Sequence, residues 1–454
     1  MQHQHGRPGA PAGCPATGNT RLYGAQFGAD PDSHYAHLRE LGPSAPVDIA
    51  PGVEVELVTS YDAALDILRN PAWFVRDSRR WNALNDGRVP ADSPALPMMG
   101  HRPNALFSDG AAHARLRLAV TDSLAHLDER HVAHLTRRCA EYLISRLGTG
   151  RPGRAELMSE YARPLPLLVF GDLFGCPPGI GDRVIAGISG IFAGTAGADQ
   201  VLGAALTELI GLKRDRPGED LTSRLMQHSA ELSDEEVLHQ LVTLLSGGTA
   251  PTAALIGTAG ALVLGGDWQP DLPVEDAVDR ALWNFSPIAN YAPHYPTHDV
   301  RLGGRILRAN DPVLISFAAA NTDPRLAGHR ERPGAKAHLA YGAGPHACPA
   351  KDTAPAIAVT ALETLLKRLP DVTALVPFAG LDWVPTPWSR SLTALPVRFT
   401  TPAAPSPVSK ESGPPVPRPQ DPVRPAARPE EAARSRTGLF SRFLAWTRRA
   451  DQGG

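Results

Sequence analysis

The sequence predicts a mainly α-helical fold with small β-sheets. Apolar residues recur at helical spacing over most of the stretch from Ala111 to Met226, and a second helical pattern begins at Ser233. Only short segments elsewhere alternate between apolar and polar residues as strands do. The 454 residues are 43% hydrophobic and 20% charged, which is typical of a globular protein and excludes a collagen, a coiled coil or full disorder.

The first elements are short. The spacing predicts a helix from Asp30 to Leu41 and a strand from Val53 to Thr59. Ser60 can cap a helix from Tyr61 to Leu68. Residues 71–108 then form a long irregular connection, and connections of that length usually carry function or are disordered.

The clearest helix start is Ser233, because Ser233 and Glu236 fit a capping box in which each side chain accepts from the other residue's backbone N–H. The apolar run after it lasts to Leu264. A helix of roughly 30 residues spans about 45 Å at 1.5 Å per residue. Because it is apolar nearly all round, we expect it to be buried along most of its length and to open or kink at Pro251. Further helices are predicted at Val274–Asn284 and Ala350–Leu369, with short extended segments at 299–302, 305–308 and 313–315.

Composition and charge change near residue 400. Residues 401–454 carry 9 basic and 5 acidic side chains, a net charge of +4, whereas the first 400 residues carry 36 and 42, a net charge of −6. Residues 401–436 contain ten prolines and too few apolar residues to order themselves. We predict a disordered N-terminus at 1–20, a folded domain at 21–400, a proline-rich linker at 401–436 and a basic amphipathic helix at 437–450.

The C-terminal segment carries an apolar stripe whose members are Leu439, Phe440, Phe443, Leu444 and Trp446. Its arginines lie elsewhere on the helical turn. We expect this helix to dock on something outside its own domain, either an anionic membrane surface or an acidic protein partner. The alternative is that it folds back on its own acidic domain.

Several features indicate a cytoplasmic protein that meets a membrane surface only if its C-terminal helix docks there. No run of about 18 uncharged apolar residues is present, and the first fifteen residues lack the apolar core of a signal peptide. The cysteines, at positions 14, 139, 176 and 348, are too few for a disulfide framework. Arginine outnumbers lysine 40 to 5, which we attribute to a GC-rich genome, and we expect no nucleic-acid partner.

The most informative segment is Tyr341-Gly342-Ala343-Gly344-Pro345-His346-Ala347-Cys348. Its two glycines permit positive φ and close backbone approach. A cysteine just before a helix has its thiolate stabilised by free N–H groups and the helix dipole, so it suits the role of a soft metal ligand. The alternative for a single cysteine is a buried, inert thiol in a turn.

This segment resembles the haem-binding loop of the cytochrome P450 superfamily, and motifs in the order which that family requires extend the resemblance over about residues 20–400. The resemblance implies a haem-thiolate fold with the long central helix over the haem. It implies haem b as cofactor and Cys348 as the iron ligand. Tyr341, Gly342 and Gly344 would form the loop against the haem.

The resemblance also implies a set of residues that pair with the haem propionates. His113 and Arg117 are four residues apart and project from one helix face. They match the family's propionate positions, although a solvated basic face would show the same spacing. The further propionate positions fall on His294, where the family more often has arginine, and on His346.

Two departures from the family pattern stand out. Arg280 and Trp283 replace the family's Glu-x-x-Arg pair, and replacing both partners of a buried ion pair can be nearly neutral. We expect Trp283 to pack in the core and Arg280 to find another anion. A subset of the superfamily with tryptophan at this place occurs chiefly in actinobacteria, including proteins encoded in conservon operons, and the chain resembles that subset.

The second departure lies in the long helix. The family's acid–alcohol pair, which delivers protons on the distal side, falls on Ala250 and Pro251, and neither side chain can donate a proton. Gly247 and Gly248 should leave room for a distal groove. The nearest hydroxyls belong to Thr252 and Thr249, our candidate catalytic residues, although both could instead bond to a carbonyl in the preceding turn.

Two functions follow from these patterns. The first is a haem-thiolate monooxygenase that inserts one oxygen atom from O2 into a small organic substrate, with electrons from a ferredoxin-type partner. The second is a haem-binding regulatory or scaffold component of a bacterial signalling assembly, with little or no oxygenase activity. The missing acid–alcohol pair and the basic C-terminal segment favour the second.

Overall fold

The computed structural model describes residues 19–149, 151–266, 268–269, 271–332, 334–400 and 438–452. The predicted linker at 401–436 and nearly all of the predicted N-terminal tail at 1–20 lie outside these residues. Within them, the helices are α1 (Gly24–Ala29), α2 (Pro31–Glu40), α3 (Tyr61–Leu68), α4 (Asn82–Asn85), α5 (Leu96–Met99), α6 (Gly110–Ala125), α7 (Glu129–Ile144), α8 (Pro164–Leu173), α9 (Pro178–Phe192), α10 (Ala198–Asp215), α11 (Leu221–Gln227), α12 (Asp234–Leu264), α13 (Val274–Asn284), α14 (Phe317–Asn321), α15 (Ala327–Arg330), α16 (Thr353–Arg368) and α17 (Leu439–Gln452).

The strands are short, as predicted. They are β1 (Thr20–Arg21), β2 (Ser44–Ala50), β3 (Val53–Val58), β4 (Phe74–Val75), β5 (Arg154–Glu156), β6 (Asn290–Pro296), β7 (Val300–Leu302), β8 (Arg305–Leu307), β9 (Val313–Ser316), β10 (Thr373–Ala374) and β11 (Pro396–Arg398). They form a six-stranded sheet of order β1-β2-β3-β9-β6-β4, a three-stranded sheet of order β10-β11-β5, and the β7-β8 pair. The mainly helical fold class with small sheets is therefore confirmed.

The central helix α12 begins at the predicted capping box. The Ser233 hydroxyl accepts from the Glu236 N–H at 3.2 Å, and the Glu236 carboxylate accepts from the Ser233 N–H at 2.9 Å. The helix then runs for 31 residues without interruption through Pro251, so the predicted opening does not occur. Packing against α8, α13 and α16 holds both halves of α12 in place, and this compensates for the hydrogen bond that the proline removes.

Helix α12 is also the one described helix that is long and apolar enough to cross a membrane by length and composition. Of its most apolar 18-residue window, 67% is buried inside the protein. Burial against neighbouring helices accounts for an apolar surface on nearly every side of α12.

A bulge in β6 shapes the sheet near the middle of the chain. The pairing of β6 with β9 shifts register between Tyr291 and His294, and Ala292 within the bulge has a φ of 58°. A bulge inserts an unpaired residue and redirects the side chains that follow it. His294 therefore leaves the sheet in a direction that regular alternation would not give.

The C-terminal helix α17 packs on the protein's own helices α7, α8 and α9. Phe440 is 0% exposed and Phe443 1% exposed. Gly171 and Gly181 form a slot for the Phe440 ring, since a Cβ atom added at Gly171 would lie 2.8 Å from that ring and one at Gly181 closer still. The ring of Tyr142 in α7 lies against the same helix, 5.5 Å from the Phe443 ring.

A carboxylate from α9 caps the start of α17. Asp182 accepts hydrogen bonds from the backbone N–H groups of Phe440, at 2.8 Å, and Ser441, at 3.2 Å, and it also accepts from the Ser441 hydroxyl. The first N–H groups of a helix have no partner within the helix, so Asp182 satisfies two of them and complements the helix dipole.

The expectation that this segment docks outside its own domain is therefore wrong, and the alternative that it folds back is correct. The glycine slot and Asp182 match the apolar stripe and the first turn of α17. Neither feature stands out in the sequence of α8 or α9, because each depends on where the two helices lie relative to each other.

We predict that Phe440→Ala lowers the free energy of unfolding by about 3–5 kcal/mol, the usual loss for truncating a buried phenylalanine. Arg448 is exposed on the same helix and serves as the control, so Arg448→Ala should change stability by no more than about 0.5 kcal/mol. Denaturant unfolding of both variants measures the difference. If the two variants are equally stable and Phe440→Ala no longer binds vesicles, the result would contradict internal packing and support docking of α17 on a membrane.

Candidate functional site

The loop before α16 is held by its own backbone. The Cys348 N–H donates to the Tyr341 carbonyl at 2.8 Å, and the Ala347 N–H donates to the Gly344 carbonyl at 3.1 Å. These bonds close the loop and fix the position of the Cys348 backbone. The Cys348 side chain is only partly buried, so its sulfur is not sealed in the core.

The two glycines of the loop are there for conformational reasons, as predicted. Gly342 has a φ of 67° and Gly344 a φ of 69°, in the region that favours glycine. A Cβ atom at Gly344 would also collide with the carbonyl oxygen of Leu68 at the end of α3. The loop can therefore pack against α3 only with glycine at this position.

Helix α16 begins at Thr353, three residues later than the predicted start at Ala350. The reason is Pro355, which lacks an N–H and clashes with the carbonyl four residues earlier when it lies inside a helix. A start at Thr353 places Pro355 in the first turn, where no N–H is needed. Cys348 therefore precedes α16 by five residues rather than two.

The thiol of Cys348 has a raised pKa, because burial penalises the thiolate more than its neighbours stabilise it. The Ala350 N–H and the positive charge of Arg117 act in the opposite direction. The predicted stabilisation of the thiolate is present, but these two groups supply it. A bound metal ion would supply the further stabilisation that the thiolate needs, since a thiol that coordinates a metal is deprotonated.

Helix α6 places two side chains beside the loop. The ring centroids of His113 and His346 are 3.9 Å apart. Arg117 projects from the same face of α6, and its Nη2 donates to the Ala347 carbonyl at 2.5 Å. The predicted shared face of His113 and Arg117 is thus directed at the Cys348 loop, and the alternative of a solvated basic face does not hold.

The bulge in β6 adds a third imidazole to the site. His294 is 3% exposed, and its Nδ1 donates to the Ala292 carbonyl at 2.7 Å. Burial, followed by the charge of Arg76, lowers its pKa well below the usual value. In the neutral ring Nε2 has no proton, so His294 can donate to an anion only after the anion has raised its pKa.

A cluster of buried and half-buried cationic and imidazole groups results, and its members influence each other's pKa. Burial is the largest cause of the lowered pKa of His346, and four neighbouring positive or titratable groups lower that pKa further. Those four are Arg76, His113, His294 and Arg117. Arg76 was not singled out from the sequence, although its place directly after the apolar pair Phe74-Val75 could have indicated an inward position.

The side chains of the cluster have no described carboxylate in direct contact, since Asp109 acts on the Arg76 guanidinium and the His113 ring only through its charge. The described residues include no ion pair between its members and a carboxylate, and the buried atoms His113 Nε2 and Arg76 Nη1 have no hydrogen-bond partner. Buried donors without acceptors are expensive, so the site is complementary to a carboxylate-bearing group. A haem, with two propionates and an iron for Cys348, fits these residues.

One face of α12 is open in the middle of the helix. Thr243, Gly247 and Pro251 are each four residues apart on one face and are not buried, and no heavy atom lies within 4 Å of a Cβ added at Gly247. Gly247 therefore fits the predicted groove. Gly248 does not, because the Phe170 ring of α8 occupies the space where its side chain would be.

The two candidate hydroxyls on α12 are buried away from this open face. The Thr249 hydroxyl donates to the Leu245 carbonyl at 2.7 Å, so its predicted alternative of bonding to the preceding turn is the one observed. Thr252 is 2% exposed and has no hydrogen bond to a described residue. Of the two, only Thr252 keeps its proton uncommitted.

The positions of the missing Glu-x-x-Arg pair are filled by aromatic contacts. Trp283 is 2% exposed and its Nε1 donates to the Ala335 carbonyl at 2.7 Å, so the predicted packing of Trp283 is confirmed. Arg280 stacks on the Trp268 ring at 5.0 Å from its centroid. The prediction that Arg280 finds an anion is wrong for the part of the chain described, where a cation–π contact replaces it.

The chain is similar to named proteins along most of its length. It is 32% identical over 402 residues to cytochrome P450 monooxygenase PikC of Streptomyces venezuelae, covering 83% of this chain and 92% of that protein. It is 29% identical over 372 residues to the mycinamicin IV hydroxylase/epoxidase of Micromonospora griseorubida, covering 77% and 90%. The structure of CYP154C4 from Streptomyces sp. W2061 superimposes with a TM-score of 0.75 at 27% identity, covering 84% and 98%. No protein-family model matches the chain.

We predict that Cys348→Ala removes the thiolate signature from the spectrum of the reduced, carbon-monoxide-bound protein, because no other described cysteine can replace it. Cys139 and Cys176 are buried, and burial raises the pKa of both thiols. Cys139→Ala and Cys176→Ala are therefore controls that should leave the spectrum unchanged. An unchanged spectrum in Cys348→Ala would contradict the assignment.

Proposed function

The chain belongs to the cytochrome P450 superfamily of haem-dependent monooxygenases, and we propose that it inserts one oxygen atom from O2 into a small organic substrate with electrons from a ferredoxin-type partner. The observation that carries this proposal is the convergence of the Cys348 loop with the buried donors of α6 and β6. The similar proteins include a monooxygenase and a hydroxylase/epoxidase, which supports the same reaction class.

Each part of the site has a distinct task in this proposal. When bound, haem supplies redox-active iron for the activation of dioxygen. Cys348 ligates the iron, and the bond from its N–H to the Tyr341 carbonyl fixes its backbone. His113, Arg117, His294 and His346 hold the propionates by charge-assisted hydrogen bonds, the stronger class of hydrogen bond.

Proton delivery on the distal side is the step that we propose to be restricted. The open face of α12 presents Gly247, Ala250 and Pro251, which have no proton to give. Thr243 shares this face, but its hydroxyl donates to the His239 carbonyl and accepts from Asn104. Thr252 lies about 100° round the helix from Pro251, so it can serve only through a small change in side-chain position or through a water molecule.

The double substitution Ala250→Asp with Pro251→Thr should raise the amount of product formed per reductant consumed by at least about tenfold, since a positioned proton donor typically contributes 10²–10⁴ in rate. Thr252→Ala should lower the same ratio. Thr258 is buried on α12 two turns further along, so Thr258→Ala is the matched control and should have no effect.

This experiment uses a surrogate ferredoxin, a ferredoxin reductase and a panel of small apolar substrates. A wild-type ratio of product to reductant close to one would contradict restricted proton delivery. It would show that the substrate or ordered water supplies the proton.

We propose that the ferredoxin-type donor docks beside the Cys348 loop. Lys351 is exposed three residues after Cys348, and Arg69 is exposed where α3 meets Gly344. Positive charge at this edge complements the acidic surface of a ferredoxin and accelerates its encounter.

The double charge reversal Arg69→Glu with Lys351→Glu should slow reduction by ferredoxin at least about tenfold at low ionic strength. Lys367 is exposed near the far end of α16, so Lys367→Glu is the control and should leave the rate unchanged. The defect should shrink in 1 M salt, where the screening length is about 3 Å. Equal rates for the double variant and the control would place the docking surface elsewhere.

The second candidate function is a haem-binding regulatory or scaffold component of a bacterial signalling assembly, as the likeness to the conservon-associated subset implies. The open face of α12 without a free proton donor favours it. The C-terminal helix does not favour this second function, because its apolar face is buried on α8 and α9. Absence of product from every substrate, together with full haem occupancy and normal reduction by ferredoxin, would support this function over monooxygenation.

A further inference from the structure

Arg76 is a buried arginine to which neither the sequence nor the proposed mechanism gives a task. It follows β4 and is 1% exposed. Its Nε donates to the Leu106 carbonyl at 3.2 Å, but its Nη1 is buried without a partner among the residues described. An arginine cannot lose its charge in a protein, so this donor and its charge require an acceptor.

The Asp109 carboxylate beside Arg76 is already committed to the backbone. Both carboxylate oxygens of Asp109 accept from the Arg76 N–H, each at 2.9 Å. One of them, Oδ2, also accepts from the Asp77 N–H at 3.0 Å. These bonds hold the turn after β4 against the start of α6. They leave the Arg76 guanidinium without an ion pair within the described part of the chain.

Arg76 lies next to the elements that carry the predicted propionate donors. Its N–H binds Asp109 at the start of α6, and the strand β4 just before it pairs with β6 beside His294. The His113 ring of α6 in turn lies 3.9 Å from the His346 ring of the Cys348 loop. Arg76 therefore belongs to one cluster with all three elements, and no described carboxylate forms an ion pair with that cluster.

We propose that Arg76 is a fifth carboxylate-binding residue of the cofactor site, with its free Nη1 donating to a haem propionate. This inference rests on haem as the cofactor and is independent of whether the protein delivers protons efficiently. Arg76 also joins the irregular connection at 71–108 to the cofactor, through its bond to Leu106 and through Asp109. Haem binding thus helps to fix the position of this connection.

The test compares the rates at which the holoenzyme and its variants lose haem to apomyoglobin. Arg76→Met, which keeps the length and apolar stem of the side chain, should release haem about ten- to a hundredfold faster, as expected for one charge-assisted hydrogen bond. Arg76→Lys keeps the charge and should lie between Arg76→Met and the wild type. The exposed Arg130 is the control, so Arg130→Met should lose haem at the wild-type rate.

A second arm replaces haem by its dimethyl ester, which has no carboxylate charge. The ratio of the rates for Arg76→Met and the wild type should then fall to near one. A ratio that stays high with the ester would overturn the proposal, because Arg76 would then act through packing of the protein. Equal rates with ordinary haem would overturn it as well.

The reduced carbon-monoxide spectrum separates this inference from the proposed function. Arg76→Met should keep the thiolate signature, since it leaves Cys348 untouched. If Arg76→Met does not fold, Arg76→Lys with haem and with the ester gives the same comparison. A wild type that lacks the thiolate signature would refute the proposed function, whereas the ratio with the ester would still test Arg76.

Discussion

Positive charge without a protein carboxylate to balance it is the constraint on which this structure depends. Arg76, Arg117 and three imidazoles come together from separate elements near the Cys348 loop, and burial lowers the pKa of each imidazole. The Asp109 carboxylate nearby serves backbone N–H groups instead. Such an arrangement is unfavourable by itself and becomes favourable only when a ligand brings the missing anions.

Three local features bring these groups together. Gly344 lets the Cys348 loop approach α3, the bulge at Ala292 redirects His294, and the bond from Arg117 to the Ala347 carbonyl ties α6 to the loop. Each feature involves a backbone group, so it fixes the position of the element that carries the side chain. On the distal side, the burial of Thr249 and Thr252 leaves the open face of α12 without a free proton.

The sequence predicted those parts of the structure that depend on local patterns. The capping box at Ser233, the length of α12 and the shared face of His113 and Arg117 all follow from spacing along one helix. The positive φ at Gly342 and Gly344 follows from the loop itself. The start of α16 was also a local matter, and attention to Pro355 would have corrected it.

The sequence could not predict features that depend on two distant elements. Gly248 leaves room for Phe170 of α8 rather than for a ligand, and nothing in α12 alone distinguishes these cases. The glycine slot for Phe440 is formed by two helices, so an apolar stripe that looked available for a partner is buried internally. Arg76 escaped notice because its burial depends on contacts from α6 and β6.

A crystal structure of the haem-loaded protein would test the central claim most directly, through the distances from the haem carboxylate oxygens to the nearest side-chain nitrogens. The account predicts that Arg76 Nη1 and His113 Nε2, both without partners here, lie within hydrogen-bond distance of those oxygens, with the Cys348 sulfur on the iron. A structure in which protein carboxylates or carbonyls satisfy these nitrogens, with the haem carboxylates in solvent, would contradict it.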